Sequence, residues 1–497
     1  MGMRRDDITA YQRRQIALAV LASDRPHGMV NRLAEIWNLS RKSIYEIANR
    51  AYDLLLKVLK PGGHGPQPNR TKITVDRNRM VRAVGRLTLS GVSQRKVVDC
   101  LAEMLDTSVS LGWVNGRIGE LEAAAAVWNQ HQQPNNGESL SGDEIYANGQ
   151  PNLLVVGNDS LYIYALSRQS SCDGETWATI FRSLPECPQF ASDAGTGLAA
   201  GVKAAGLTVH QLDWDHLLRP LWGQHTRLER QAYAALEAVE QRTQLFEAAH
   251  TERRLQNHLD QWEKLAKEAE EQMKLLDDFE QLARQVDDCF ALIDVQTGHL
   301  PDSAVCIAQL QEVGQQLACW SGRIYRKLAN NLIHWADNLF SYQQILRPAL
   351  SLLSTQYGQE AVVALCALWQ IEANEKRHPH PLSQRIEWRS LWEKHLDMAT
   401  HWFAGNGVWE AWEAISELLE HSWRGSMLAE CVNSLLRPGL DSRQHTDQGC
   451  LDLFHFSHNE YPFKRGKRKG CSPAQLAGLD AVDDPFTLLG LDPKVLL

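Results

Sequence analysis

The sequence predicts a multi-domain chain, mainly α-helical, with one α/β core of element order βββαβαβ that a large helical or coiled-coil insertion interrupts. Three observations carry this. The 497 residues, 44% of them hydrophobic, exceed the roughly 150 residues of a typical domain several times over. Between about residues 142 and 212, short runs of β-branched, aromatic and aliphatic residues alternate with turns, the pattern of strands. From about 223 to 420 the apolar spacing is that of helices alone.

Composition narrows the class. No apolar run approaches the roughly 18 residues of a membrane span, and Met1-Gly-Met-Arg-Arg-Asp-Asp7 is no signal core. Ten scattered cysteines include no C-x-x-C pair, which argues against zinc modules and a secreted disulfide framework. The expectation is an intracellular protein of the cytoplasm or nucleoid, without a membrane partner. The net charge of −9 hides a split: residues 1–100 hold nineteen Lys and Arg against eight Asp and Glu, and Lys464-Arg-Gly-Lys-Arg-Lys469 is a second basic cluster. Basic ends around an acidic middle suggest contacts with a polyanion.

Residues 1–60 read as three helices, the third running from Arg41 to about Lys57 with Ser40 as its cap. Ala34, Asn38, Ile44 and Ile47 stand at the spacings of a helix-turn-helix: a small residue for close approach, a turn residue, and two apolar anchors. Arg41, Lys42, Ser43 and Tyr45 then point outward, the types that reach phosphates and base edges. An ordinary three-helix domain has the same pattern. After a Pro/Gly linker at 61–68, residues 71–130 form a second helical, helix-turn-helix-like unit, with Ser93 capping Gln94–Leu105 and a further helix over 111–121.

The catalytic candidates begin in the segment 136–222. Three runs, 142–149, 151–157 and 161–166, separated by Asn-Gly and Asn-Asp-Ser turns, predict an antiparallel meander. Asp143 lies inside the first strand, where a charge is costly unless neutralised or exposed. A helix over 173–184, a strand over 189–193, a helix over 198–205 and a strand over 207–212 follow. This order sets the first and fourth strands side by side and brings Asp143 toward Asp193. Glu144, by alternation, points to the opposite face.

The insertion, 223–420, opens with a long helix in which Leu255, Leu259, Trp262, Ala266, Ala269, Met273 and Leu276 repeat every three or four residues. Nine of the sixteen tryptophans lie between Trp320 and Trp423; at helical spacing they read as core packing, with base stacking by one or two as the alternative. His378-Pro-His380 is too sparse for a metal site. The core resumes at 421–475 with a helix over 423–436 carrying Glu430, then the basic segment. Residues 476–497 read as a peripheral tail.

Gly-Asp143-Glu-Ile-Tyr, Ala-Ser-Asp193-Ala-Gly-Thr-Gly and Trp-Arg-Gly-Ser-Met-Leu-Ala-Glu430-Cys-Val-Asn-Ser, spaced by 50 and 237 residues, resemble the motifs of a DDE-type DNA transposase of the insertion-sequence kind. Such enzymes have an RNase H-like core, here interrupted by an all-helical insertion. The resemblance implies that Asp143, Asp193 and Glu430 are catalytic and hold two Mg²⁺ ions, for which Mn²⁺ substitutes, in a two-metal cleavage and 3′-OH strand transfer. Asp213-Trp-Asp-His216 resembles the [C/D]-x-x-H element of Mutator- and hAT-type transposases, which puts Asp213 and His216 near the site; a core histidine is the alternative for His216. By the same resemblance, Arg41, Lys42, Ser43 and Tyr45, with Lys464, Arg465, Lys467 and Arg468, contact double-stranded DNA, namely terminal inverted repeats and target, and protomers pair as a homodimer or larger homo-oligomer. Glu420 and Glu460 are alternatives for the third acid, and Asp159 and Asp173 for the first, although turn position and helix capping account for those two. A transposase-derived DNA-binding regulator without chemistry, or an RNase H-like nuclease without strand transfer, are the competing functions.

Overall fold

A computed structural model describes residues 8–23, 25–59, 76–105, 108–132, 134, 137–248, 252–377, 382–403, 407–441 and 446–492. The linker at 61–68 and His378-Pro-His380 lie outside the described residues. The chain divides into two compact units, residues 1–74 and 75–497.

The first unit is a three-helix cluster of α1 (Ala10–Leu21), α2 (Met29–Ile36) and α3 (Arg41–Leu59). Thr9 and Gln12 form a capping box at α1. Asn38 takes a left-handed φ of 46°, which an asparagine tolerates better than a branched residue. The Leu39 N–H then reaches the Ala34 carbonyl at 2.9 Å, and Ser40 Oγ accepts the Ser43 N–H at 3.0 Å to start α3. Ile16, Val20, Val30, Leu33, Leu39 and Ile44 share the core.

The second unit opens with α4 (Arg77–Leu89), α5 (Gln94–Leu105) and α6 (Leu111–His131). Ser110 caps α6 by accepting from Trp113 N–H. That helix runs ten residues past the expected end because 122–126, Glu and four alanines, are strong helix formers.

The sheet contains β1 (Leu140–Ala147), β2 (Gln150–Gly157), β3 (Ile163–Arg168), β4 (Phe190–Ser192) and β5 (His210–Leu212), in the order β3-β2-β1-β4-β5. β1 pairs antiparallel with β2 and parallel with β4; β2–β3 is antiparallel and β4–β5 parallel. β3 starts two residues later than expected. Leu161 adopts φ 59° and its N–H returns to Gly157 O, so it belongs to the turn. Between β3 and β4 lies α7 (Gly174–Phe181), and between β4 and β5 lies α8 (Thr196–Ala205).

The insertion begins with α9 (Asp215–Glu247) and α10 (Glu252–Asp288). Contacts of Arg242 with His258, Thr243 with Trp262, and His225 with Glu280 make them an antiparallel pair. α11 (Ser303–Ala318), α12 (Arg323–Leu339), α13 (Gln343–Tyr357), α14 (Gln359–Arg377), α15 (Leu382–Phe403) and α16 (Val408–Glu420) complete it. Trp320, Trp335, Trp369, Trp392 and Trp412 pack against its core as expected of aromatic stripes, while Trp409 is 76% exposed. The block is fastened to the sheet edge. Trp214 Nε1 and Gln211 Nε2 both donate to Leu339 O, at 2.7 and 2.9 Å, and Gln211 Oε1 accepts from Tyr342 N–H. These bonds lay α12 and the turn after it against the short edge strand β5.

The chain returns as α17 (Met427–Asp441) and α18 (Gln448–Glu460), then two short turns, α19 (Pro473–Leu476) and α20 (Pro485–Leu488). α17 and α18 cover one sheet face through Ala429, Val432, Leu436 and Leu451 on Ile145, Leu154, Val156 and Leu166. α7 and α8 cover the other through Trp177, Phe181, Leu198 and Val202. The expected peripheral tail is in fact packed. Phe486 is fully buried against Val81, Leu121, Leu453 and Phe456, and Asp484 pairs with Arg82; Leu488, Leu489 and Leu491 pack beside it, so an apolar segment around one large aromatic anchors the tail. Among the described residues no helix is long and apolar enough to cross a membrane.

The α18 contact with the hairpin gives the fold an acid sensitivity. His455 and His458 donate through Nε2 to the carbonyls of Ile163 (2.7 Å) and Leu161 (2.9 Å). Burial pushes each imidazole down from 6.5 to about 4, so both are neutral in the folded state at neutral pH. Their stabilisation is complete above the unfolded value and is lost as pH falls from about 6.5 toward 4, because the unfolded chain takes up the protons first. Between pH 7 and 5 the expected loss is about 2 kcal/mol for each ring, read by urea unfolding. The double replacement His455→Gln with His458→Gln flattens that dependence; an unchanged pH slope would remove these two rings as its cause.

Candidate active site

The register of β1 and β4 builds the site. Leu140, Ser141 and Gly142 stand opposite Phe190, Ala191 and Ser192, and the next residues on the two chains are Asp143 and Asp193. Gly142 makes this pairing possible, since a Cβ there would lie 2.5 Å from the Phe190 ring. β4 ends at once in a turn in which Asp193 Oδ1 accepts the Gly195 N–H at 3.0 Å, opening α8.

Asp143 is 9% exposed. Its Oδ1 accepts the Glu144 N–H at 2.9 Å and its Oδ2 accepts from Asn433 Nδ2 at 2.7 Å. Burial raises its pKa; the bond from Asn433 opposes that, and the charges of Asp193 and then Glu430 add to the rise. The three acids picked out in the sequence therefore share one electrostatic neighbourhood. Glu430 reaches it from the first turn of α17. There its Oε1 is 3.3 Å from His216 Nε2 and its Oε2 3.8 Å from Arg219. The His216 contact is close but lacks hydrogen-bond alignment, and Nε2 is a buried atom without a bonded partner.

Asp213 holds the junction. It is 4% exposed and accepts three hydrogen bonds: from Asp215 N–H at 2.8 Å, Ser426 N–H at 2.7 Å and Ser426 Oγ–H at 2.9 Å. Ser426 immediately precedes α17, so a carboxylate at the start of the insertion fixes the helix that carries Glu430 on its return. Arg424 adds a second tie, lying 4.2 Å over the Trp214 ring and donating to Phe290 O.

The rival acids are engaged elsewhere. Asp173 caps α7, Asp159 faces His421 at 3.4 Å, Glu420 pairs with the exposed Lys467, and Glu460 is buried against Trp128 Nε1. Glu144 does turn to the other side, accepting from Trp177 Nε1 at 2.5 Å; burial raises its pKa, and the charges of Asp193 and Asp143 add to the rise. It borders the site without joining it. A cleft of about 950 Å³ between α5–α6 and α17–α18, lined by Arg95, Asn115, Glu122, Pro438 and Phe454 among others, contains none of the three acids.

Among the described residues, no group of three or more His, Cys, Asp and Glu side chains stands close enough together to be a ready-made metal cage. The donor set still suits a hard divalent cation: carboxylate oxygens in a region where negative charge is already opposed by burial and by like charges. Asn433 Oδ1, on the amide that touches Asp143, is buried and has no partner, an exception among buried polar atoms that costs about 1–3 kcal/mol. Sequence reasoning misses Asn433. The signal available to it is the residue's place three positions after Glu430, on the same helix face.

Of the basic candidates, Arg41, Lys42 and Tyr45 are exposed on α3, whereas Ser43 is half-buried and spent on Ser40. Lys464, Arg465 and Lys467 are exposed on a loop closed by Gly470 N–H to Phe463 O and Phe463 N–H to Cys471 O. Arg468 donates to the backbone carbonyls of Asp159 and Asn158, so its guanidinium braces the β2–β3 turn. No protein-family model matches this chain, and no curated protein matches it.

Proposed function

We propose that the chain is a DDE-type DNA transposase with an RNase H-like core, cleaving DNA at element ends and joining the 3′-OH ends to a target. The observation that carries the reading is that Asp143 and Asp193 each directly follow the last paired residues of the parallel neighbours β1 and β4, with the charge of Glu430 acting on Asp143 from α17. In this reading Asp143, Asp193 and Glu430 hold two Mg²⁺ ions, or Mn²⁺ in their place. When bound, such ions supply Lewis acidity on both sides of a phosphodiester. The chain's own residues do the rest. Asn433 orients Asp143, Asp213 sets α17, and His216 with Arg219 holds Glu430. The helices α1–α3 act as a helix-turn-helix that reads the terminal repeats of double-stranded DNA. Lys464, Arg465 and Lys467 hold the phosphate backbone. Two ends must be cut and joined together, so the working form is a homodimer or larger homo-oligomer.

The test is to incubate the full chain with linear DNA carrying the sequences that flank its reading frame, with Mg²⁺, and to look for joined 3′ ends. Binding with no cleavage across Mg²⁺ and Mn²⁺ titrations would instead identify a DNA-binding regulator. Cutting without joining would identify a nuclease. For the head, the double variant Arg41→Ala with Lys42→Ala is expected to weaken DNA binding. It should also lower the slope of log K against log salt by about 1 for each phosphate that is no longer neutralised. Equal slopes for variant and wild type would take both residues off the backbone.

A further inference from the structure

The amide of Asn433 is the one neutral polar side chain bonded to Asp143 among the described residues, and its surroundings say what it is for. Asn433 is fully buried. Its neighbours Ala429, Val432 and Leu436 on α17 pack into the apolar layer between the helix and the sheet, where an apolar residue of the same size would be the ordinary choice. An asparagine there needs a polar reason. It has one half of such a reason in the 2.7 Å bond from Nδ2 to Asp143 Oδ2. The orientation of the amide is settled by chemistry, since an ionised carboxylate only accepts hydrogen bonds and must face the nitrogen. The other half, Oδ1, is buried with no donor.

Resting on the two-metal reading above, we infer that Asn433 is a positioning residue of the metal site: its Nδ2 fixes the plane of the Asp143 carboxylate, and its unpartnered Oδ1 is the acceptor for a water of the loaded site. A donor that is neutral suits this task. A lysine or arginine would neutralise Asp143 and compete with the cation, whereas an amide holds the carboxylate in place and leaves its charge for the metal. Asp143 is then braced on both oxygens, Oδ1 by the Glu144 N–H and Oδ2 by Asn433, so neither can rotate freely away from Asp193. Because Glu430 and Asn433 lie three residues apart on one helix, the seating of α17 delivers an acid and the brace for the opposing acid in a single step.

The experiment titrates Mn²⁺ into the full chain, followed by the loss of free-ion electron paramagnetic resonance signal, for wild type, Asn433→Leu, Asn433→Ser and Asp143→Asn. Asn433→Leu keeps the branching and the number of heavy atoms of the side chain and suits the apolar layer. It is expected to bind Mn²⁺ about 10- to 100-fold more weakly, with DNA affinity unchanged. In the joining reaction the half-maximal Mg²⁺ concentration rises by a similar factor, and the rate at saturating Mg²⁺ returns to within a few fold of wild type. A merely structural role would lower thermal stability and the maximal rate without this shift in metal dependence. Should Asn433→Leu fail to fold, Asn433→Ser, which is too short to reach Asp143, carries the same expectation. Mn²⁺ binding that Asp143→Asn abolishes but both Asn433 variants leave within twofold of wild type overturns the inference and spares the two-metal reading. Absence of saturable Mn²⁺ binding in the wild type overturns both.

Discussion

On the proposed two-metal reading, Asp143→Ala and Asp193→Ala are each expected to abolish Mg²⁺-dependent cleavage and joining to the detection limit, a loss on the order of 10³-fold or more, while DNA binding is expected to stay at the wild-type level. The magnitude follows from the several kcal/mol that charge stabilisation by a metal supplies, with each 1.36 kcal/mol worth about tenfold in rate. The selectivity for chemistry follows from position. Both acids belong to the sheet of the second unit, Asp143 within β1 and Asp193 just past the end of β4, whereas the exposed basic and aromatic face of α3 belongs to the first. Removing Asp143 relieves a buried charge, most at the pH where the acid is ionised, and also takes the acceptor from Asn433 Nδ2, so circular dichroism of the variant checks that it is folded. Parallel gel-shift and strand-joining assays on one preparation decide the matter. Joined products from Asp193→Ala at wild-type yield would sink the assignment.

Asp213→Ala has a second large effect, this time on the fold. The carboxylate accepts both the Ser426 N–H and its hydroxyl, and also takes the Asp215 N–H. Truncation leaves buried donors without an acceptor, a loss of about 3 kcal/mol or more. It also frees the N-terminal turn that aims Glu430. Asp213→Asn, which keeps one acceptor oxygen, should lose less, and Ser426→Ala, which loses only the hydroxyl bond, about 1 kcal/mol. Urea unfolding followed by tryptophan fluorescence reads the order, since Trp214 and Trp423 flank this junction. If Asp213→Ala unfolds at the wild-type urea concentration, the junction is held by Arg424 and the apolar contacts alone.

Much of this architecture is written in local patterns. The Asn-Gly turn at 148–149, the β-rich runs on either side and the short helices after them specify the strand order, and with it the adjacency of Asp143 and Asp193. Their register is less legible, because β2 is buried on both faces and its apolar run does not alternate. The caps at Ser40, Ser110 and Asp173, and the left-handed turn at Asn38, are legible because each depends only on residues a few positions away. Leu161 is not legible in the same way, because nothing in its side chain announces a positive φ; the turn imposes it. Nor is the packing of the tail, since the burial of Phe486 depends on Val81, Leu121 and Phe456, which are far upstream or on another helix.

The sequence alone determined the element types and the order of the strands, and put the acids forward as candidates, since these rest on periodicity and on residue chemistry. The tertiary structure decided which of those groups act on one another. It put Glu430, rather than Glu420 or Glu460, within electrostatic reach of Asp143, spent Arg468 on backbone carbonyls, and made Asp213 the brace of α17. It also brought in Asn433, whose role depends on an atom 290 residues away. The physical reason is the same throughout: a hydrogen bond or a charge interaction is set by distance in space, and the helical insertion separates in sequence what the sheet and α17 bring together.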